Sequence, residues 1–242
     1  KAPTHPELMD WLAVEFMERN WDMKAIHRLM VTSQAYKMQS SEGRQEAAQA
    51  RIDPDNTYLW RMNVRRMEAE AVRDSMLALA GRLDPTIGGP EIDETKGHEV
   101  YRRSLYFRHA PDLQMDMLKV FDAASPNECF QRSESIVPQQ ALALSNSKLS
   151  LAMARTIAAQ LPSGNFVAAA FQRILGREAT AAELAESGKY VAEQAAMYRT
   201  GQLTAFSTGP AALVKPSGDP EQRARESFVH VLLNHNDFVT IR

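Results

Sequence analysis

The chain has 242 residues, 44% of them hydrophobic and 24% charged, enough to bury a sizeable core and too apolar for a disordered tail. Lys and Arg total 28 against 30 Asp and Glu, a formal charge of -2 that argues against the basic footprint of a nucleic-acid binder. The single cysteine, Cys129, rules out an internal disulfide, a CxxC zinc knuckle and a CxxCH haem attachment, and no run reaches the ~20 apolar residues of a membrane span.

Thr4 and Glu7 have the spacing of a capping box, Pro6 suits a first helical turn, and Leu8, Trp11, Leu12 and Phe16 form an apolar stripe. A helix is therefore predicted over 6–19. Asp22 should cap a second helix with Met23, Ile26, Leu29 and Met30 on one face, the two helices making a hairpin. The polar stretch from Ser40 to Arg51 reads as a loop or a solvated helix. The pattern predicts a long helix over 55–79, stopped by Gly81 before the turn cluster DPTIGGP.

From Gly88 to Pro111 the helical period is lost. The run VYRRSLYFRH alternates, with Arg103, Leu105 and Phe107 on one face and Arg102, Ser104, Tyr106 and Arg108 on the other, so a strand is predicted. It requires a pairing partner here or in residues upstream. A helix follows over 112–121, then the loop DAASPNECFQRSESIV, then a helix opening at Pro138 and running over 139–161. Further helices are expected over 165–175, ended by Gly176; over 181–199, capped by Thr180 and Glu183; and from Pro220, with Phe228, Val231 and Leu232 inward. The stretch 201–220 reads as a loop. The whole predicts a mainly α, multi-helix bundle-like domain with one or two short β-strands and long ordered loops. A single domain over 1–242 is expected, with a possible subdivision into 1–161 and 162–242. Because the chain opens on Lys1, a few residues before a helix signal, it is expected to be the C-terminal part of a longer polypeptide.

No local motif specifies chemistry. The six histidines form no HExxH or Cys/His pattern, and His230 and His235, five apart, point roughly 140° from each other on a helix, so no metal site is expected. GRLDPTIGG lacks both the GxGxxG and the GxxxxGK[ST] geometry and reads as turn chemistry. No GxSxG elbow accompanies the free thiol. Of the close carboxylate pairs, only Asp112 and Asp116 share a helical face, one that more naturally meets solvent than a glycoside.

The densest polar constellation joins the predicted strand (Arg102, Arg103, Tyr106, Arg108, His109), the loop after it (Asp122, Asn127, Gln131, Arg132) and the next helix start (Gln139, Gln140). If these converge, guanidinium forks, amides and a helix N-terminus would suit an anionic or polyhydroxylated ligand. Alternatively, the same groups satisfy loop backbone and pair with Glu68, Asp74 or Asp122 as a structural network.

Several segments in order, HPELMDWLA, AIHRLMVTSQAY, DPDNTYLWRM, RRMEAEAVRDSMLALAGRLDPTIGGP, RRSLYF, VPQQALAL with Asn146, and LLNHNDF, span nearly the whole chain. Together they resemble the C-terminal domain of unknown function found in large exported proteins of planctomycetes and related bacteria, often with a planctomycete-type cytochrome c module upstream. Ser145 and Cys129 depart from that pattern. The resemblance implies an exported, periplasmic or cell-surface protein that cooperates with a haem domain and handles complex carbohydrate. No cofactor is then expected in this chain, haem c being carried by an upstream or partner segment. The expected partners are that cytochrome c module or upstream segment and an anionic or carbohydrate ligand, with no nucleic acid and no membrane span. Three functions stay open: a ligand-binding or interaction domain; an enzyme, either a haem-coupled oxidoreductase or a carbohydrate-active hydrolase, with Asp122, Tyr106 or His109 as acid or base; and a purely structural domain.

Overall fold

In the computed structural model of the protein, the described residues are 2–40, 47–128, 132–201 and 212–241. They are mainly α-helical, as the sequence predicts, and form two compact units that divide at residue 65. The expected division point near residue 161 falls inside the second unit.

The first unit, Lys1–Arg65 with Thr240–Arg242, holds α1 (Pro6–Glu18), α2 (Met23–Thr32) and α3 (Ala47–Ile52). α1 and α2 form the predicted hairpin: Asn20 and Trp21 turn the chain at positive φ, and the Trp21 ring meets Phe16 edge-on at 5.1 Å. The Asp22 carboxylate caps α2 by accepting from the Lys24 and Ala25 N–H groups. The predicted Thr4 cap does not form, because the Thr4 hydroxyl bonds the His5 ring instead and His5 becomes the N-cap residue.

The predicted helix over 55–79 is shorter than its pattern, since residues 53–64 coil around side chains. The buried Asp53 carboxylate accepts from the Thr57 and Tyr58 N–H groups, and the Trp60 indole donates to the Asp53 carbonyl. Asn56 accepts from Arg61 N–H and donates to the Arg61 carbonyl and Asn63. Such local side-chain bonds outcompete a helical ladder. Among the described residues of this unit, Ile26 is the one buried apolar side chain. The strands β1 (Arg65–Arg66) and β2 (Thr240–Ile241) pair as a two-stranded sheet.

The second unit, Arg66–Val239, contains α4 (Ala69–Leu79), α5 (Asp116–Val120), α6 (Pro138–Asn146), α7 (Lys148–Gln160), α8 (Phe166–Leu175), α9 (Ala181–Thr200) and α10 (Pro220–Leu233). Its core is built from Val72, Met76 and Leu77 of α4, Leu149, Met153 and Ile157 of α7, and Phe228, Val229 and Leu233 of α10. α10 packs along both α7 and α9. Val231, expected inward, is 48% exposed, and Val229 takes the core position. The single helix predicted over 139–161 is two, because Ser147 adopts an extended conformation, ends α6, and caps α7 through its hydroxyl and the Ser150 N–H. Gly81 and Gly176 terminate α4 and α8 with positive φ, and Thr180 with Glu183 forms the complete capping box of α9.

The predicted strand over 100–109 is replaced by a short 3-10 turn, Ser104–Tyr106, flanked by isolated bridges Asp84 to Arg102 and Ile92 to Phe107. The reason lies on α4. Arg73, 0% exposed, donates to the carbonyls of Gly97, Val100 and Arg102 and to the Ser104 hydroxyl. Asp74 accepts from the Ser104 N–H and hydroxyl. A buried guanidinium and its neighbouring carboxylate supply the backbone partners that a second strand would otherwise supply.

Candidate functional site

The predicted polar constellation lies within the second unit, divided among several sets of partners. Arg102 donates to the carbonyls of Thr86 and Gly88 at 2.7 Å and stacks 3.9 Å from the Tyr106 ring centre. The Tyr106 hydroxyl in turn accepts from the Gly88 N–H. Arg108 pairs with Glu91 at 3.0 Å and lies 3.6 Å from Glu94. His109 donates through Nε2 to the Ala124 carbonyl at 2.8 Å.

The loop and the helix start do converge. Asp122, at positive φ, accepts from the Ser135 N–H and hydroxyl, while the buried Gln140 amide donates to the Val120 and Ser135 carbonyls and accepts from Arg66 at 2.8 Å. Asn127 and Gln139 are exposed. Cys129 and Gln131 lie outside the described residues, as does half of the loop at 201–220, residues 202–211.

Arg103 and Arg132 approach the same face of α4, because their partners Asp74 and Glu70 are four residues apart. Arg132 makes a forked contact with Glu70 at 2.7 and 3.3 Å, and Arg103 lies 3.9 Å from Asp74. Burial is the largest single influence on Glu70 and opposes its ionisation, but the Arg132 hydrogen bond, a backbone N–H and the charges of Arg132 and His109 together hold the carboxyl below its ordinary range. A cleft of about 370 Å³ opens on this face, lined by Glu68, Glu70, Asp74, Ser75, Arg103 and Leu105 among others. Its guanidinium groups are matched by carboxylates, so it offers an incoming anion no unpaired positive charge. The proposed acid–base residues are likewise occupied: Asp122 by Ser135 and Gln140, Tyr106 by Gly88, His109 by Ala124.

A different cavity, of about 330 Å³, has no counterpart in the sequence reading. α7 contributes Leu151, Ala154 and Arg155; α9 contributes Tyr190 and Tyr198; α10 contributes Arg223, Glu226, Ser227, His230 and Val231; Pro216 closes one side. α10 places Arg223, Ser227 and His230 on one face because they follow the i, i+4, i+7 spacing. That polar face within an otherwise core-forming helix is the signal a sequence reader could have used. Arg155 lies too far along the chain to be associated with it by spacing.

The charges in this cavity are unequally satisfied. Arg155 bonds the Val214 carbonyl and stands 3.9 Å from Glu226, beyond a direct hydrogen bond. Glu226 accepts from the Ser217 N–H at 3.2 Å. Burial raises the Glu226 carboxyl above its ordinary range, against the lowering pull of Ser217, Arg155 and Arg223. Burial also lowers the Arg155 guanidinium and the His230 imidazole, whose Nε2 donates to the Leu144 carbonyl at 3.2 Å. Tyr198 bonds Ser227 at 2.8 Å and presents its ring to the Arg223 guanidinium at 4.9 Å. Arg223 has no ion-pair partner among the described residues.

Among the described residues no cluster of His, Cys, Asp and Glu could hold a metal ion, and no helix is long and apolar enough to cross a membrane. A family model described as "PSD1: Protein of unknown function (DUF1553)" matches residues 1–191. No curated protein and no solved structure matches the chain.

Proposed function

The chain belongs to this PSD1 family of proteins of unknown function (DUF1553), and we propose, from the cavity itself, that it is a ligand-binding domain whose ligand enters between α7, α9 and α10. The observation that carries the reading is Arg223: a half-buried guanidinium on a polar, partly open cavity, without a direct ion pair among the described residues and sharing the one lining carboxylate, Glu226, with Arg155. Buried or half-buried charge without a counter-ion is costly, and an anionic group on a ligand would offset that cost. The cavity volume lies at the small end of the range for ligand sites, which suits one compact molecule rather than a polymer chain.

The arginines of the polar constellation then act as braces, Arg102, Arg103 and Arg108 for the long segment between α4 and α5 and Arg132 for the loop between α5 and α6, since each has a protein partner. The resemblance to exported planctomycete proteins supports a place beside a cytochrome c module outside the cytoplasm, with carbohydrate as the surrounding chemistry. In that arrangement the haem belongs to the neighbouring module, because this chain has a single cysteine.

The test uses isothermal calorimetry with D-glucuronate as the probe. Val231→Trp, at a half-exposed lining position outside the core, should fill the cavity and abolish binding while leaving the melting temperature unchanged. Arg103→Ala and Arg132→Ala should bind as the parent does. Binding lost in these two variants and kept in Val231→Trp would place the ligand at the α4 cleft and refute the proposal.

A further inference from the structure

We infer that the cavity between α7, α9 and α10 selects a hydroxylated monocarboxylate of single-sugar size, its carboxylate held by Arg223 and its hydroxyls by Ser227 and Glu226. This rests on the ligand-binding reading above and specifies the ligand class. Arg155 and Glu226 face each other and cancel, one on α7 and one on α10. The other charged or titratable groups lining the space are Tyr190 and Tyr198 on α9 and Arg223 and His230 on α10. Two guanidinium groups against one carboxylate leave one positive charge in excess, which matches a single negative charge.

A guanidinium fork is geometrically suited to a carboxylate, and the Arg223 guanidinium lies over the Tyr198 ring, 4.9 Å from its centre. A second negative charge on the ligand, as on a phosphate ester, would fall within the same small space as Glu226. It would have to protonate that carboxyl or displace it from Arg155. The body of the ligand meets a lining richer in polar than in apolar surface. The Ser227 hydroxyl can rotate from Tyr198 toward a ligand, and Glu226 makes only long contacts at 3.2 Å to Ser217 and 3.9 Å to Arg155. Both are therefore available to hydroxyl groups. An unadorned alkyl carboxylate would leave these polar atoms unpaired on binding and should be rejected.

Calorimetry with four probes decides the matter: D-glucuronate, D-glucose, D-glucose 6-phosphate and butyrate. Glucuronate should bind about ten- to a hundredfold more tightly than glucose, the range for a charge-assisted hydrogen-bonded pair. Arg223→Gln should erase that preference, while Glu226→Gln should narrow the gap between glucuronate and the phosphate ester. Near-ultraviolet circular dichroism of each variant checks that the cavity walls remain folded. Equal affinity for glucuronate and glucose, with both lost in Val231→Trp, would overturn the carboxylate assignment and leave the cavity reading standing. Tighter binding of the phosphate ester or of butyrate would overturn the ligand class in the same way. No binding of any probe overturns both.

Discussion

Replacing Arg73 should have the largest effect on stability of any single change outside the apolar core. Its guanidinium is wholly buried and holds three backbone carbonyls, at 2.9 Å for Gly97, 2.6 Å for Val100 and 2.9 Å for Arg102. It also lies 3.6 Å from Asp74 and 4.8 Å from the centre of the Phe107 ring. Burial lowers its pKa to about 10, against the raising effect of Asp74, so it remains charged at neutral pH. Arg73→Ala leaves the three carbonyls without a donor. At about 1–2 kcal/mol for each acceptor left unpaired, the loss is about 3–6 kcal/mol. That is a large share of the roughly 5–15 kcal/mol that keeps a domain folded. Arg73→Lys, which keeps a charge but not the planar fork, should fall between the parent and Ala. Urea unfolding at pH 7 followed by circular dichroism measures the change. Hydrogen exchange should show the amides of residues 97–108 losing protection first. A change within about 1 kcal/mol of the parent, with that segment still protected, would refute the claim that Arg73 substitutes for a missing strand.

The acid limb of stability should depend on Glu183. Hydrogen bonding to Arg177, and then to the Thr180 N–H, lowers its pKa from 4.5 to about 2. The folded carboxyl thus takes up a proton less readily than the unfolded one, so its contribution is complete above about pH 5 and is lost as the pH falls toward 2. Glu183→Gln should therefore lower the urea midpoint at pH 7 and converge on the parent near pH 2; a gap of constant size would contradict this. Gly97→Ala should also destabilise, because an added Cβ would fall 2.9 Å from the Met115 sulfur and press on the segment whose carbonyl Arg73 holds. A loss of about 1–2 kcal/mol is expected, and a melting temperature within about 1 °C of the parent would count against it.

Helix ends were the most legible part of the fold. Asp22, Gly81, Gly176 and the Thr180–Glu183 pair act where their spacing places them, since a cap is a local interaction among residues within one turn. The alternation from Val100 to His109 was real but misleading. A period of two describes an extended chain without saying whether its backbone bonds a strand or, as here, the side chains of Arg73 and Asp74 about thirty residues earlier. The Ser147 break was hidden for a related reason: a serine inside an apolar-periodic stretch looks like a tolerated helix residue until its hydroxyl is seen capping the next helix. Of the predicted polar centre, the loop-to-helix half was readable, and Asp122 and Gln140 do meet through Ser135. The pairing of Arg103 and Arg132 onto α4 needed tertiary structure, as did the cavity, whose walls come from three helices distant in sequence.

Arg223 should receive the ligand's negative charge. Side-chain Nε–Hε resonances of the arginines, followed by nuclear magnetic resonance during titration with D-glucuronate, test it most directly. A saturable shift of the Arg223 signal is expected, with a smaller one for Arg155 and none for Arg103 or Arg132. A saturable shift at Arg103 or Arg132 with Arg223 unmoved would contradict it.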